Sequence, residues 1–144
     1  MGIQTMGKVL VTAKVESLED LFQVDRGTLP DDQVRRIEVD DALVDTGATI
    51  LSMPTRLIRQ LGLRPVRSRQ ARTAAGIVTV QVYGTVRLTI QGRECPIDVS
   101  EVPDDCPVLI GQIPLELLDF VVDPVGQRLI GNPAHGGEHI LEMY

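Results

Sequence analysis

The sequence feature that most constrains this chain is an acidic residue placed between an apolar run and a glycine. Residues 42–44 are Ala-Leu-Val, and they lead directly into Asp45, Thr46 and Gly47. The run predicts a strand that enters the middle of a domain, and Gly47 lets other backbone come close to the carboxylate. We interpret Asp45 as a candidate catalytic carboxylate. The alternative is a turn aspartate that binds its own backbone, because Asp-Thr-Gly also suits a turn.

A second feature follows about 60 residues later. Residues 108–111, Val-Leu-Ile-Gly, predict an apolar strand that ends in glycine, and Pro114 then stands where a short helix can start. Asp-Thr-Gly followed at this distance by a strand ending in Ile-Gly and a short helix resembles the retropepsin-like aspartic peptidases. The resemblance covers about residues 35–131. In that family the two apolar strands cross behind the active-site loop, and the glycines permit the close crossing.

The resemblance implies an all-β fold, a closed barrel-like domain with one or two short helices that works as a homodimer. A chain of 144 residues is long enough for one domain, and it contains a single Asp-Thr-Gly. Since acid proteolysis of this type needs two facing carboxylates, the simplest source of the second is a second copy across a two-fold axis. We expect one domain over residues 1–144, with its core at about 35–131. A strand and an insertion over 8–33 precede that core, and a tail over 132–144 follows it.

The resemblance also assigns roles to residues. Asp45, Thr46 and Gly47 are the catalytic candidates, with the Thr46 hydroxyl bonding across the dimer axis. Residues 71–82 predict two strands joined by a turn at Ala75 and Gly76, where the family has a hairpin flap over the substrate; an ordinary hairpin is the alternative. The substrate-binding candidates lie in the loop after the acid, at the flap tip and on the second strand: Ala48, Thr49, Ala75, Gly76, Ile77, Val108 and Leu109.

One departure from the family pattern concerns an ion pair. Retroviral members have an acid two residues after the motif glycine, and it pairs with an arginine directly after the second glycine. Thr49 and Gln112 occupy these positions here, so both partners are missing together. We expect the fold to be unaffected, and specificity beside the scissile bond and the strength of the dimer to differ.

The activity that the resemblance implies is hydrolysis of a peptide or protein substrate by a water held between two Asp45 carboxylates. The competing hypothesis is a dimeric peptide-binding or regulatory module that keeps the fold without turnover. No cofactor is implied. His135 and His139 are separated by two glycines, which oppose the helix that would align both imidazoles, so we expect no metal site.

Composition excludes several other classes of protein. The net charge is -6 with acids and bases dispersed along the chain, which argues against binding nucleic acid or an anionic membrane. The arginines between residues 56 and 72 form one local basic cluster, for which a solvated surface is the first interpretation and substrate steering the second. Cys95 and Cys106 lack CxxC spacing, as expected of free thiols in a reducing compartment. With no secretory pattern or membrane-spanning run, we expect a soluble cytoplasmic protein.

The remaining pattern predicts short elements around these features. Alternating or apolar residues predict strands over 8–15, 34–44, 50–54, 85–90 and 95–99, and a closing hairpin over 120–131. Leucines at helical spacing before a glycine predict a helix over 55–63, whereas residues 17–21 fit one helical turn or a polar excursion. Residues 140–144 are expected to pair across the dimer, as chain termini do in the family.

Overall fold

The computed structural model describes residues 8–140, which form nine strands and three short α-helices. The strands are β1 (Leu10–Ser17), β2 (Arg36–Val44), β3 (Leu51–Pro54), β4 (Arg64–Thr73), β5 (Gly76–Ile90), β6 (Arg93–Val102), β7 (Leu109–Ile110), β8 (Phe120–Asp123) and β9 (Arg128–Gly131). The helices are α1 (Leu18–Asp25), α2 (Thr55–Gln60) and α3 (Gln112–Leu117), and two 3-10 turns lie at Asp31–Gln33 and Pro133–His135. The predicted all-β fold is confirmed, with three helices rather than one or two. Within residues 8–140, no helix has the length and apolarity needed to cross a bilayer.

Six strands close into a ring. The order β1-β2-β7-β3-β6-β5 is completed where β5 pairs back onto β1, and β4 lies outside the ring at the free side of β5. Closure leaves few unpaired strand edges, which is how antiparallel sheets avoid pairing with other chains. β8 and β9 form a separate hairpin whose Phe120 and Leu129 join the main hydrophobic core. The predicted closed, barrel-like architecture is therefore confirmed.

The core follows from alternation along the strands. Val86, Leu88 and Ile90 on β5 are fully buried, and the residues between them are half-buried. Burying each such side chain contributes about 1.5–3 kcal/mol relative to leaving it exposed. Cys95 joins this core as a free thiol, and burial raises the pKa of its thiol to about 11. Such a thiol is inert at neutral pH because the reactive form is the thiolate.

Helix α1 is longer than the single turn expected from the sequence. The Ser17 hydroxyl caps it by accepting from the Asp20 amide at 3.3 Å. The buried Asp20 carboxylate then accepts from the Arg35 guanidinium, Nε at 2.8 Å and Nη2 at 2.9 Å, and from the Arg35 amide at 2.9 Å. Hydrogen bonding from Arg35 outweighs burial and holds the pKa of Asp20 below its ordinary value. The insertion is thus fastened to the chain directly before β2.

The segment after β9 is fastened around Asp119. The buried Asp119 carboxylate lies 2.6 Å from His135 Nδ1 and accepts from the Asn132 side chain at 3.2 Å and from the Ile140 amide at 3.1 Å. The Arg93 guanidinium donates to carbonyls of this segment and of the α3–β8 turn, and lies 4.7 Å from the centre of the Phe120 ring. Residues 132–140 therefore pack against the rest of the same chain. The predicted pairing of residues 140–144 across the dimer falls, apart from Ile140, outside the described residues.

We expect Asp119→Asn to lower the melting temperature at pH 7 and the difference from wild type to shrink at acid pH. Burial alone would raise the pKa of Asp119, but hydrogen bonds from His135, the Ile140 amide and Asn132 hold that pKa below its ordinary value. A lowered pKa in the folded state gives stability that is present above the unfolded value and is lost as pH falls through the folded one. Thermal unfolding between pH 3 and 7 measures this. The control is Asp32→Asn, a change at an exposed acid. A difference in melting temperature between Asp119→Asn and wild type that does not vary with pH would contradict the lowered pKa of Asp119.

Candidate active site

Asp45 occupies the start of the loop between β2 and β3. Its amide donates to the Ile110 carbonyl at 2.9 Å, and its carbonyl accepts from the Ala48 amide at 3.0 Å. The Gly47 amide donates to Asp45 Oδ1 at 2.9 Å, which is the bond expected of a turn aspartate. Asp45 is nevertheless half-buried at the surface of the loop, and within residues 8–140 its Oδ2 accepts no hydrogen bond. The loop bond therefore orients the carboxylate and leaves one oxygen for other chemistry.

The strand β7 braces this loop from behind. It lies between β2 and β3, with Ile110 opposite Val44 in parallel and opposite Leu51 in antiparallel register. The amides of residues 111, 112 and 113 donate in turn to the carbonyls of residues 50, 48 and 49, at 3.0, 2.9 and 2.9 Å. A Cβ at Gly111 would lie 2.4 Å from the Ile50 carbonyl oxygen, so only glycine fits here. The close crossing that the resemblance implied is present.

One face of the sheet runs from this crossing toward the β4–β5 hairpin. Residues opposite each other in register share a face, and Leu109 pairs with Ser52, Ser52 with Ser100, and Ser100 with Val82. Leu109, Ser52 and Ser100 are half-buried, while Val82 at the base of the hairpin is fully buried. Their neighbours on the other face, Leu51, Val99 and Ile110, are fully buried in the core. We call the side that carries Leu109, Ser52, Ser100 and Val82 the open face.

The hairpin of β4 and the first half of β5, residues 64–82, is termed the flap. It is longer than the predicted 71–82, because β4 pairs with β5 from Arg64 onward. Its turn is at Ala74 and Ala75, one residue earlier than expected, and Gly76 opens β5 at a φ of +111°. That backbone conformation favours glycine. Both arms are largely exposed.

The two sides of the flap differ in chemistry. Val80 and Val78 continue the open face outward from Val82, opposite Arg69 and Ala71. On the other side, the Gln81 side chain forms a hydrogen bond with Ser68 at 3.0 Å, and the Thr79 side chain with Gln70 at 3.4 Å. Ile77 lies further along this side, opposite Arg72. The open face of the flap is thus apolar apart from its arginines, and the other face is mainly polar.

The structure brings some of the predicted site residues together and separates others. Ala48 and Thr49 lie in the loop beside Asp45, and Leu109 lies on the open face. Val108 is 5% exposed and packs in the core, so its side chain does not face a ligand. Ile77, 62% exposed, lies on the side of the flap away from the open face, and Ala75 and Gly76 lie at the tip.

Sequence reasoning missed the valines next to Ile77. Val78, 40% exposed, and Val80 share the open face with Leu109, and the alternation of β5 was the signal for them. Thr46 is exposed, and in the part of the chain that the structure describes its hydroxyl makes no hydrogen bond. It is therefore available to a group from outside the chain.

The chemistry available to one chain is limited. Among residues 8–140, no three side chains of His, Cys, Asp or Glu come together as metal ligands. At the loop there is one carboxylate, which at a given moment can accept a proton or donate one, but not both. One such group cannot act as general acid and general base at the same time.

Comparison with known proteins agrees with this geometry. The model of the family described as "gag-polyprotein putative aspartyl protease" matches residues 35–116, which is more than half of the chain. No match was found among curated proteins. The matched segment contains the Asp45 loop, the flap, β7 and most of α3. The chain therefore belongs to the gag-type family of retropepsin-like aspartyl proteases.

Proposed function

We propose that the protein is a homodimeric aspartic endopeptidase in which each chain contributes one Asp45. The observation that carries the proposal is the loop geometry: Gly47 holds Asp45 Oδ1, while Oδ2 and the Thr46 hydroxyl have no partner within residues 8–140. Three amides following β7 brace the same loop from behind. A rigid, half-exposed carboxylate next to an unsatisfied hydroxyl suits a two-fold contact with the same loop of another copy.

The reaction then follows from placing two carboxylates about 3 Å apart, where they share one proton. The ionised carboxylate takes a proton from a water as its oxygen attacks the peptide carbonyl carbon, and the protonated one donates to the carbonyl oxygen. The tetrahedral intermediate breaks its C–N bond as a proton passes to the leaving nitrogen. Both protonation steps belong to the pair rather than to either copy.

Substrate would lie as an extended strand between the Asp45 loops and the flap. Backbone amides and carbonyls of a flap can pair with an extended peptide, as in other cases of strand addition. Leu109, Val80 and Val78 supply apolar surface on the open face for side chains of the peptide. We also propose that the enzyme works in the cytoplasm, where reducing conditions suit two free cysteines.

The test measures peptide cleavage and the mass of the protein in solution. We expect the protein to cut a peptide library, with the highest rate below pH 7 because one proton must remain on the pair. Sedimentation under the same conditions should give twice the 15.8 kDa chain mass. A dimer that cuts nothing between pH 4 and 7 would favour the binding module, and a monomer that cuts would overturn the shared site.

A further inference from the structure

Eight of the 14 basic residues lie in one stretch, so the charges are less evenly dispersed than the sequence analysis assumed. Residues 46–93 contain eight arginines and no acidic residue, and all 20 acids lie outside this stretch. Four of the eight are on β4, the outer arm of the flap: Arg64, Arg67, Arg69 and Arg72. The flap is therefore a cationic hairpin attached to an acidic body, a distribution that the overall charge of -6 conceals.

Two of the four arginines are already paired with acids of the body. Arg64 Nη2 lies 3.0 Å from Glu19 Oε1, and Arg67 Nη1 lies 3.0 Å from Asp98 Oδ2. Arg69 and Arg72 are exposed, and within residues 8–140 neither guanidinium makes an ion pair or a hydrogen bond. Nothing in the described chain neutralises them.

The two unpaired arginines point to opposite sides of the flap. Arg69 is opposite Val80 and lies on the open face, the side that continues to Leu109 and the loop. Arg72 is opposite Ile77 on the other side. A ligand lying along the open face would therefore meet Arg69 and not Arg72.

We propose that Arg69 selects peptide substrates that carry an aspartate or glutamate near the bond to be cut; the proposal rests on the proposed function. A guanidinium presents a planar fork of donors that matches a carboxylate through two parallel hydrogen bonds. Because no acid within residues 8–140 pairs with Arg69, its guanidinium is available to a carboxylate of the ligand. Val78, Val80 and Ala71 beside Arg69 accept the apolar parts of the same peptide.

A nucleic acid is the other polyanion that a cationic hairpin could bind. Residues 64–82 contain no aromatic side chain on which bases could stack. The acids of the body would also repel a long phosphate backbone, whereas they tolerate one or two carboxylates on a short peptide. The observations therefore favour an acidic peptide.

The experiment measures binding and cleavage separately. In full-length Asp45→Asn protein, fluorescence anisotropy compares labelled peptides of one apolar sequence that carry Glu, Gln or Lys at each position flanking its centre. We expect the best Glu peptide to bind about tenfold more tightly than its Gln counterpart, the size of a charge-assisted contact. Arg69→Gln should abolish this preference, and Arg69→Glu should shift it to Lys. Arg72→Gln, an equal change of charge on the other side, should alter it less than about twofold.

The outcomes separate this inference from the proposed function. Equal binding of Glu and Gln peptides, an equal effect of Arg72→Gln, or no binding of any peptide would overturn the role of Arg69. A single-stranded oligonucleotide that binds more tightly than the Glu peptide would also overturn it. If the wild type cuts nothing while the Asp45→Asn protein still prefers Glu through Arg69, the endopeptidase assignment fails and the selectivity stands. If the wild type cuts peptides without preferring acidic ones, the endopeptidase assignment stands and the role of Arg69 fails.

Discussion

Asp45→Asn is expected to lower kcat for peptide hydrolysis by about 10⁴-fold while leaving the fold intact. The amide oxygen of asparagine can still accept from the Gly47 amide, now 2.9 Å from Oδ1, so the loop keeps its conformation. The amide cannot take a proton from water, which is the step that the proposed mechanism assigns to the ionised Asp45. Cleavage of the best library peptide measures the loss, and thermal unfolding of the variant within a few degrees of wild type shows that the loss is chemical.

Mixing the two proteins gives a sharper result than the single variant. If subunits exchange freely and are present in equal amounts, about a quarter of the dimers carry two Asp45 side chains. Activity per total protein should then fall to about one quarter of the wild-type value. The control is Asp41→Asn, an exposed acid on β2 that should leave mixtures fully active. A fall to one half would mean that each chain has a complete site of its own.

The parts of this site that the sequence predicted are those where a short motif has local meaning. Asp45 with Gly47, and Ile110 with Gly111, carry their turn and crossing geometry in adjacent residues, so their arrangement could be anticipated. The closed ring of strands follows from the same family pattern. The Asp45 turn, the crossing at Gly111 and the ring of strands do not depend on which of two neighbouring side chains faces the core.

The sequence was least informative where a shift of one residue changes the side of a strand. Val108 was predicted to line the cleft with Leu109, but it packs in the core. Ile77 was predicted to face the substrate, and that stays a prediction; the structure places Ile77 on one side of the flap and Val78 on the open face. Because side chains alternate with a period of two, apolar residues next to each other on a strand cannot both face one side.

The other missed elements depend on partners distant in the chain. α1 contains a buried acid, Asp20, and an acid at that position in the sequence suggests an exposed residue. Its burial depends on the ion pair with Arg35, which is 15 residues away in the chain. β4 has arginines where alternation would be expected, and it is a strand because the regular pairing with β5 supplies its hydrogen bonds. The local sequence pattern of α1 does not include Arg35, and that of β4 does not include β5.

Gly111→Ala is expected to lower the free energy of unfolding by about 3 kcal/mol or more and the melting temperature by about 10 °C. Gly111 has a φ of -84° and a ψ of -176°, which alanine adopts readily, so backbone preference does not oppose the change. The new Cβ would instead lie 2.4 Å from the Ile50 carbonyl oxygen and 2.8 Å from that of Ala48. These are backbone atoms of the loop that also holds Asp45, so they cannot move without displacing the carboxylate.

The matched control is Gly92→Asn in the β5–β6 turn. Gly92 has a φ of +79°, which asparagine tolerates, and a Cβ there meets no atom within 4 Å. It should change the free energy of unfolding by less than about 1 kcal/mol and leave activity unaltered. Gly111→Ala should lose most activity even well below its melting temperature, since the displaced loop no longer aligns the two carboxylates. A Gly111→Ala protein that melts and cuts like wild type would show that β7 does not set the position of Asp45.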